Sequence, residues 1–281
     1  MKDNNHPRPL VSIIVPCYNG AEYIKETLER LLRQSFSSWE CIIVNDGSTD
    51  DSEAIALYYA KKDKRFSYLP QENKGVSAAR NAGIKLSKGD YILPLDADDK
   101  ISSAYMKEAI DILTARPGVK VVYAQAELFG DRKGTWKLPE YSLKELLVEN
   151  LLYCSAFFRR EDFFKTAGYD ENMAEGFEDW DFWIGFLGDG GDVYKIPRVH
   201  FYYRTHKDSR NSQVDIEKQK NLRKRIYEKH KSLYDKYWSG PDAIFELYRS
   251  NTRYNTVVNS GKMKLMRILS APFRLFMKFF K

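Results

Sequence analysis

Val11-Ser-Ile-Ile-Val-Pro-Cys-Tyr-Asn-Gly20 sets the pattern from which the fold is read: an apolar, β-branched run that ends in a polar, turn-forming loop. A helical periodicity follows over 21–34. The same order of events recurs with Cys41-Ile-Ile-Val44 and a helix over 52–62, then with 66–69 and a helix over 76–86. It recurs again with Tyr91-Ile-Leu-Pro-Leu95 and a helix over 103–115. Short apolar strands without a polar face alternate with helices when the strands form a parallel sheet covered on both sides. The expected fold class is therefore α/β, with a Rossmann-like, mainly parallel sheet flanked by helices. A strand over 120–126 continues the pattern. From about Gly130 it breaks into shorter pieces, including a helix over 179–187 and two short strands at 193–196 and 200–204. A highly charged helix is expected over 215–237, ended by Gly240-Pro241.

The 281 residues are 43% hydrophobic and 30% charged, the balance of a chain that buries a core and not of a disordered one. Cys17, Cys41 and Cys154 are odd in number and widely spaced. They suit neither a disulfide framework nor a Cys-x-x-Cys metal site, and point to a reducing, cytoplasmic setting. No uncharged apolar run reaches the length of a spanning helix, and Met1–Pro9 lacks the apolar core of a signal peptide. The net charge of +6 hides a division: 216–281 holds sixteen Lys and Arg against five Asp and Glu, and the residues before it hold 29 against 34. Two parts are expected, a catalytic-type domain over 1–210 and a basic helical extension over 211–281.

In an open parallel sheet, ligands bind beyond the carboxyl ends of the strands. Three such ends carry polar loops: Pro16-Cys-Tyr-Asn-Gly20, Asn45-Asp-Gly-Ser-Thr-Asp50 and Asp96-Ala-Asp-Asp99. Each loop by itself reads equally as a turn with a helix cap; three opening on one edge read poorly that way. Asp96, Asp98 and Asp99 repel one another unless a cation lies among them, and hard oxygen ligands suit Mg²⁺ or Mn²⁺ shared with substrate phosphates. A solvated acidic turn is the alternative. The first loop lacks Gly-x-Gly-x-x-Gly and the chain lacks a P-loop, which excludes the standard dinucleotide and NTPase sites.

Four blocks, Val11–Gly20, Ile43–Asp50, Glu72-Asn-Lys-Gly-Val-Ser-Ala-Ala-Arg-Asn-Ala-Gly83 and Leu95–Asp99, resemble in order and spacing the successive motifs of family 2 glycosyltransferases. The resemblance spans roughly 9–206. It implies an inverting, hexosyltransferase-type enzyme of the GT-A fold that uses a nucleotide-diphospho-sugar, most often UDP-linked. It also implies roles. Asp46 meets the nucleotide base, with Pro16, Tyr18 and Asn19 as pocket wall. Asn73, Lys74, Gly75 and Arg80 lie on the nucleotide side. Asp96-Ala97-Asp98 is the DxD motif, Asp96 meeting the ribose and Asp98 the metal that bridges the diphosphate. That divalent ion, Mn²⁺ or Mg²⁺, neutralises the charge that develops on the leaving diphosphate.

Gly176-Phe-Glu-Asp-Trp-Asp-Phe-Trp183 resembles the family's acidic block at a helix start, and implies Asp179 as general base with Glu178 beside it. Gly176 would let backbone approach the donor sugar. An acidic helix N-terminus complementing the dipole is the plain alternative. Trp180 and Trp183 read better as core than as sugar platforms. In Tyr202-Tyr-Arg-Thr-His206, the resemblance implies His206 as a further metal ligand and Arg204 as a diphosphate partner.

Residues 262–281 hold six basic side chains, no acid and a broad apolar face. They read as an in-plane anchor for an anionic membrane surface, or else as a helix packed on protein. An acidic body without nucleic-acid motifs argues against nucleic acid. The function expected is transfer of a sugar to a polysaccharide or lipid-linked glycan acceptor, at the inner face of the cell membrane. Two alternatives are a non-catalytic nucleotide-sugar-binding or membrane-surface protein of the same fold, and a nucleotidyltransferase. The retained acidic set speaks against the first, and the lack of a glycine-rich, arginine-containing first loop against the second.

Overall fold

A computed structural model of the chain describes residues 9–206 and 216–237, which divide into two compact units between Leu222 and Arg223. In the first unit, β1 (Val11–Cys17) pairs in parallel with β2 (Trp39–Asp46) on one side and β4 (Tyr91–Pro94) on the other. β3 (Phe66–Gln71) adds beyond β2, again parallel. Every residue of β1 is buried, as a strand covered on both faces must be.

The far half of the sheet is mixed. It contains β5 (Lys100–Ile101), β6 (Val119–Gly130), β7 (Gly134–Trp136), β8 (Phe157–Arg159) and β9 (Asp192–Thr205). The order is β3-β2-β1-β4-β8-β6-β9-β5, with β7 paired to β6. β8 is antiparallel to both β4 and β6, so this short strand joins the parallel half to the rest.

The helices of the first half are α1 (Ile24–Leu32), α2 (Ser52–Lys62), α3 (Val76–Leu86) and α4 (Tyr105–Ala115). α1 buries Ile24, Thr27, Leu28 and Leu31, the spacing of one helix face. It starts at Ile24 and not at 21, because the Gly20 carbonyl takes the N–H groups of Tyr23 and Ile24 and closes a turn first. α5 (Leu143–Leu146), α6 (Arg160–Phe163) and α7 (Glu178–Leu187) follow in the irregular region. Trp180 and Trp183 are core residues of α7, 1% and 0% exposed.

Two expectations are corrected. The strands at 193–196 and 200–204 are one strand, β9, which runs parallel to β6 with register shifts after Ala124 and Gln125. Pro197, which has no N–H to donate, falls within the first shift; the chain bulges there instead of ending. The charged helix is also two helices, α8 (Ile216–Lys229) and α9 (Lys231–Tyr234), parted at His230. Within the second unit, Asp235 accepts from the Tyr227 hydroxyl at 3.1 Å and from the Lys231 ammonium at 2.5 Å. Among the described residues no helix is long and apolar enough to cross a membrane. Residues 262–281 lie outside the described residues.

Helix α3 lies tightly on the sheet at Gly83. A Cβ there would come within 2.5 Å of Ile14 Cγ2 and 3.1 Å of Val44 Cγ2. Gly83→Ala is therefore expected to lower stability by about 1–3 kcal/mol through overpacking, measured as a shift in the urea midpoint. An unchanged midpoint would show that α3 moves off β1 and β2 at no cost.

Candidate active site

The carboxyl ends of β1, β2 and β4 place the three polar loops on one edge, and the loops are tied to one another. After β1, Asn19 adopts a left-handed conformation (φ 50°). Its backbone N–H donates to Ser48 Oγ (3.0 Å) and its side-chain oxygen accepts from the Thr49 N–H (2.8 Å). Gly20 donates to Ser52 Oγ (2.9 Å). From α1, the Thr27 hydroxyl reaches the carbonyls of Ala97 and Asp99, both at 2.8 Å. Pro16 is buried in β1 opposite Val44, and Tyr18 is exposed.

Asp46 is buried at the end of β2. One carboxylate oxygen accepts from Gln71 Nε2 (2.6 Å) and the Lys74 N–H (2.8 Å), the other from the Gly75 N–H (2.9 Å). The carboxylate expected at the nucleotide base thus holds the Asn73-Lys74-Gly75 turn. Gly75 needs glycine because its φ is 88°.

Arg80 is the centre of the arrangement. At 1% exposure, its guanidinium bonds Asp96 Oδ1 at 2.8 Å and Glu178 Oε1 at 3.0 Å. One buried cation thereby joins the loop after β4 to the acidic start of α7, which lies far along the chain. Asp96 Oδ2 also accepts from the buried Cys154 thiol at 3.4 Å. Arg80, read as a nucleotide-side residue, spends its guanidinium within the protein.

Asp98 faces the other way, with Oδ2 3.3 Å from His206 Nε2, and the imidazole stacks on Tyr23. Burial and then the neighbouring Asp96 push the Asp98 carboxyl above its ordinary range. Asp99, fully buried, is raised further by burial, Asp98 and Asp96; its Oδ1 accepts the Arg204 N–H at 2.8 Å. The Arg204 guanidinium does not open toward a ligand. It pairs with Glu26 (2.6 Å), donates to the Asp98 carbonyl (2.9 Å) and lies between the rings of Tyr23 and Phe129.

Among the described residues no three His, Cys, Asp or Glu side chains gather as a closed metal cage. Asp98 and His206 offer one hard oxygen and one imidazole beside carboxylates that repel. This donor set fits a Mn²⁺ or Mg²⁺ whose remaining ligands are substrate phosphates.

The acidic block is held by an unusual turn. Gly176 (φ 127°) is followed by Phe177 in a left-handed conformation (φ 63°), a position that disfavours bulky side chains. A Cβ on Gly176 would meet nothing within 4 Å, so its backbone angle and not crowding by protein requires glycine. The turn aims Glu178 at Arg80 and leaves Asp179 half-buried. Asp179 accepts from Asn150 Nδ2 (3.0 Å) and from the Trp180 N–H (2.8 Å). Burial first and Glu178 second push its carboxyl up to about 7.

Tyr23, Glu26, Asn150 and Cys154 were not found by sequence reasoning. Tyr23 and Glu26 lie on one face of α1, a signal available from helical spacing once Arg204 and His206 are placed. Asn150 and Cys154 sit in the irregular stretch and carry no local signal.

The sheet order and flanking helices match the GT-A fold of solved structures. Staphylococcus aureus TarS in complex with UDP-GlcNAc matches with a TM-score of 0.62 at 19% identity, over 81% of this chain and 73% of that one. The mannosyltransferase of Pyrobaculum calidifontis in complex with GDP-Man and Mn²⁺ matches with a TM-score of 0.62 at 16% identity, over 95% and 81%. The chain belongs to glycosyl transferase family 2, whose profile matches residues 12–174. An uncharacterised glycosyltransferase of Rickettsia typhi is 32% identical over 251 residues, 85% of this chain and 73% of that protein. The Bacillus subtilis glycosyltransferase EpsJ is 53% identical over 96 residues, which is 34% of this chain and only 28% of EpsJ. The acidic block at 176–183 and His206 lie beyond the span matched by the family profile.

Removing the buried guanidinium would leave Asp96 and Glu178 without their counter-ion. Arg80→Met is expected to cost about 3 kcal/mol, with Arg80→Lys between it and the wild type because a single ammonium lacks the fork. Thermal denaturation measures both. Wild-type stability in Arg80→Met would mean that the two carboxylates relax into solvent.

Proposed function

We propose that the protein is an inverting glycosyltransferase that moves a sugar from a nucleotide-diphospho-sugar, with UDP the first nucleotide to test, to a hydroxyl of a polysaccharide or lipid-linked glycan. The observation that carries this reading is the chain Asp96–Arg80–Glu178, which brings the DxD loop and the raised carboxyl of Asp179 into one bonded unit.

Direct displacement at the anomeric carbon requires the acceptor hydroxyl to lose its proton as it attacks. Asp179 is the proposed base, and an ionisation near 7 suits the task, since a base works best with its pKa near the operating pH. Asn150 fixes its orientation and favours its charged form. Glu178, held by Arg80, keeps negative charge beside Asp179 and so contributes to its elevation. Asp98 and His206 are the proposed metal ligands; a divalent ion there supplies electrostatic stabilisation of the departing diphosphate. The loops at 16–20 and 73–75 form the proposed nucleotide wall, with Asp46 holding the second of them in shape. The role proposed for Arg204 is correspondingly indirect, keeping the Asp98 loop against β9. The basic segment 262–281 remains the proposed contact with an anionic membrane surface.

Calorimetric titration with UDP, GDP and dTDP, with and without Mn²⁺, tests donor recognition. Asp98→Asn is expected to abolish the metal-dependent part of nucleotide binding, whereas Asp179→Asn is expected to bind donor as the wild type does and to lose transfer. Full transfer by Asp179→Asn would remove the base from the mechanism.

The pH dependence has a definite sign. The active form of Asp179 is the carboxylate, so transfer should be low below its pKa and rise as pH passes through about 7. Asn150→Ala removes a hydrogen bond to the charged form and should move that rise to higher pH, read from the pH–rate profile. A profile unmoved by this substitution would separate the observed ionisation from Asp179.

A further inference from the structure

On the first unit, a cleft of about 610 Å³ opens beside the end of α1, apart from the carboxylates described above. Arg30 in the last turn of α1 and Arg33 at its C-cap line it with Lys100 of β5, Ser103, Phe129 of β6 and Tyr202 of β9. Among the described residues neither arginine side chain meets a carboxylate, and the Tyr202 hydroxyl has no partner. The α1 dipole accounts for cations in a last helical turn. It does not account for their opening on a cleft whose far wall is built by β5 and β9, where Lys100 lies directly opposite Tyr202.

The walls are held in place. Gln34 Nε2 donates to the Ser102 carbonyl and the Ser35 N–H to the Ser103 carbonyl, both at 2.9 Å. Lys100 is fixed by Glu26 and lies over the Phe129 ring at 4.0 Å. The two arginines therefore stand at a cleft whose walls are already bonded together.

We propose that this cleft binds a phosphate group, and that the phosphate belongs to the acceptor; the second half of the statement rests on the glycosyltransferase reading. Two guanidinium groups that meet no carboxylate among the described residues present positive charge and forked donors, beside a Lys100 ammonium already paired with Glu26. A phosphate matches the two guanidinium groups with nearly two negative charges and three acceptor oxygens, where a carboxylate supplies one charge. The location suits an acceptor. Tyr23, Glu26, Arg30 and Arg33 fall along one face of α1 at spacings of three, four and three. Tyr23 stacks on His206 at the proposed metal end, and Arg30 lies about 10 Å further along the helix at 1.5 Å per residue. The phosphate would thus be held about two to three helical turns from the reacting diphosphate, and the rest of the acceptor would bridge the interval.

The test compares the full chain with an Arg30→Gln/Arg33→Gln variant, its fold checked by circular dichroism. One arm titrates glycerol 3-phosphate in solution. The other measures sedimentation with phosphatidic acid vesicles, whose headgroup is a phosphomonoester, against phosphatidylcholine vesicles. UDP with Mn²⁺ is titrated in parallel. The double variant should bind phosphate about tenfold or more weakly, the loss expected when charge-assisted bonds are removed, and should bind UDP normally. Loss in the soluble arm assigns the group to a soluble acceptor, and loss in the vesicle arm alone assigns it to a lipid headgroup. Equal binding by the two proteins in both arms, or none by either, overturns the proposal. So does a parallel loss of UDP binding, which would make the arginines part of the donor site. If the wild type binds no nucleotide yet holds phosphate through these arginines, the glycosyltransferase reading fails and the phosphate cleft stands.

Discussion

A guanidinium withdrawn from water and gripped by two carboxylates is the constraint on which the site depends. Arg80 comes from α3, Asp96 from the loop after β4 and Glu178 from the start of α7, so one side chain fixes three elements relative to one another. Burying a charge is costly unless its partners are close and well aligned, and breaking such a set is costlier than never having built it. The arrangement therefore tolerates little drift among the loops. Asp179, the next residue after Glu178, inherits its place from that grip, and its ionisation is shaped by a neighbour that Arg80 itself holds. Position and proton affinity at the proposed base have a common origin.

The strands and helices before Gly130 were legible because each is a local pattern: an apolar run, a turn and a helical period. Even there the helix after β1 begins three residues later than its periodicity indicates, since the Gly20 carbonyl closes a turn that hydrophobic spacing does not register. The merging of the two late strands was not legible. Pro197 reads as a break, and only the long partner β6 shows that the chain continues past it.

For the site, the three loops were legible in the sequence and the bonding within them was not. Asp46 holds the turn at 73–75, Arg80 reaches Glu178 and Asp96 through its two terminal nitrogens, and Arg204 reaches Glu26 and the Asp98 carbonyl. A motif states that residues act together and is silent on which of them touch. Asn150 and Cys154 were invisible for a related reason, since they reach Asp179 and Asp96 from a stretch without periodicity, where tertiary packing alone decides what meets what.

The long strand β9 and the residue that follows it carry Tyr202 to the cleft beside α1, Arg204 to the Asp98 loop and His206 to Asp98 itself, at alternate positions just beyond the bulges. Alternation makes the strand a counter of parity. A side chain exchanged for another alters one contact, but one residue added or lost between Val199 and Tyr202 would turn all three groups to the opposite face together. The physical constraint on this segment is thus on its length before it is on any single side chain, and the bulges are where an extra residue would be absorbed before the count begins.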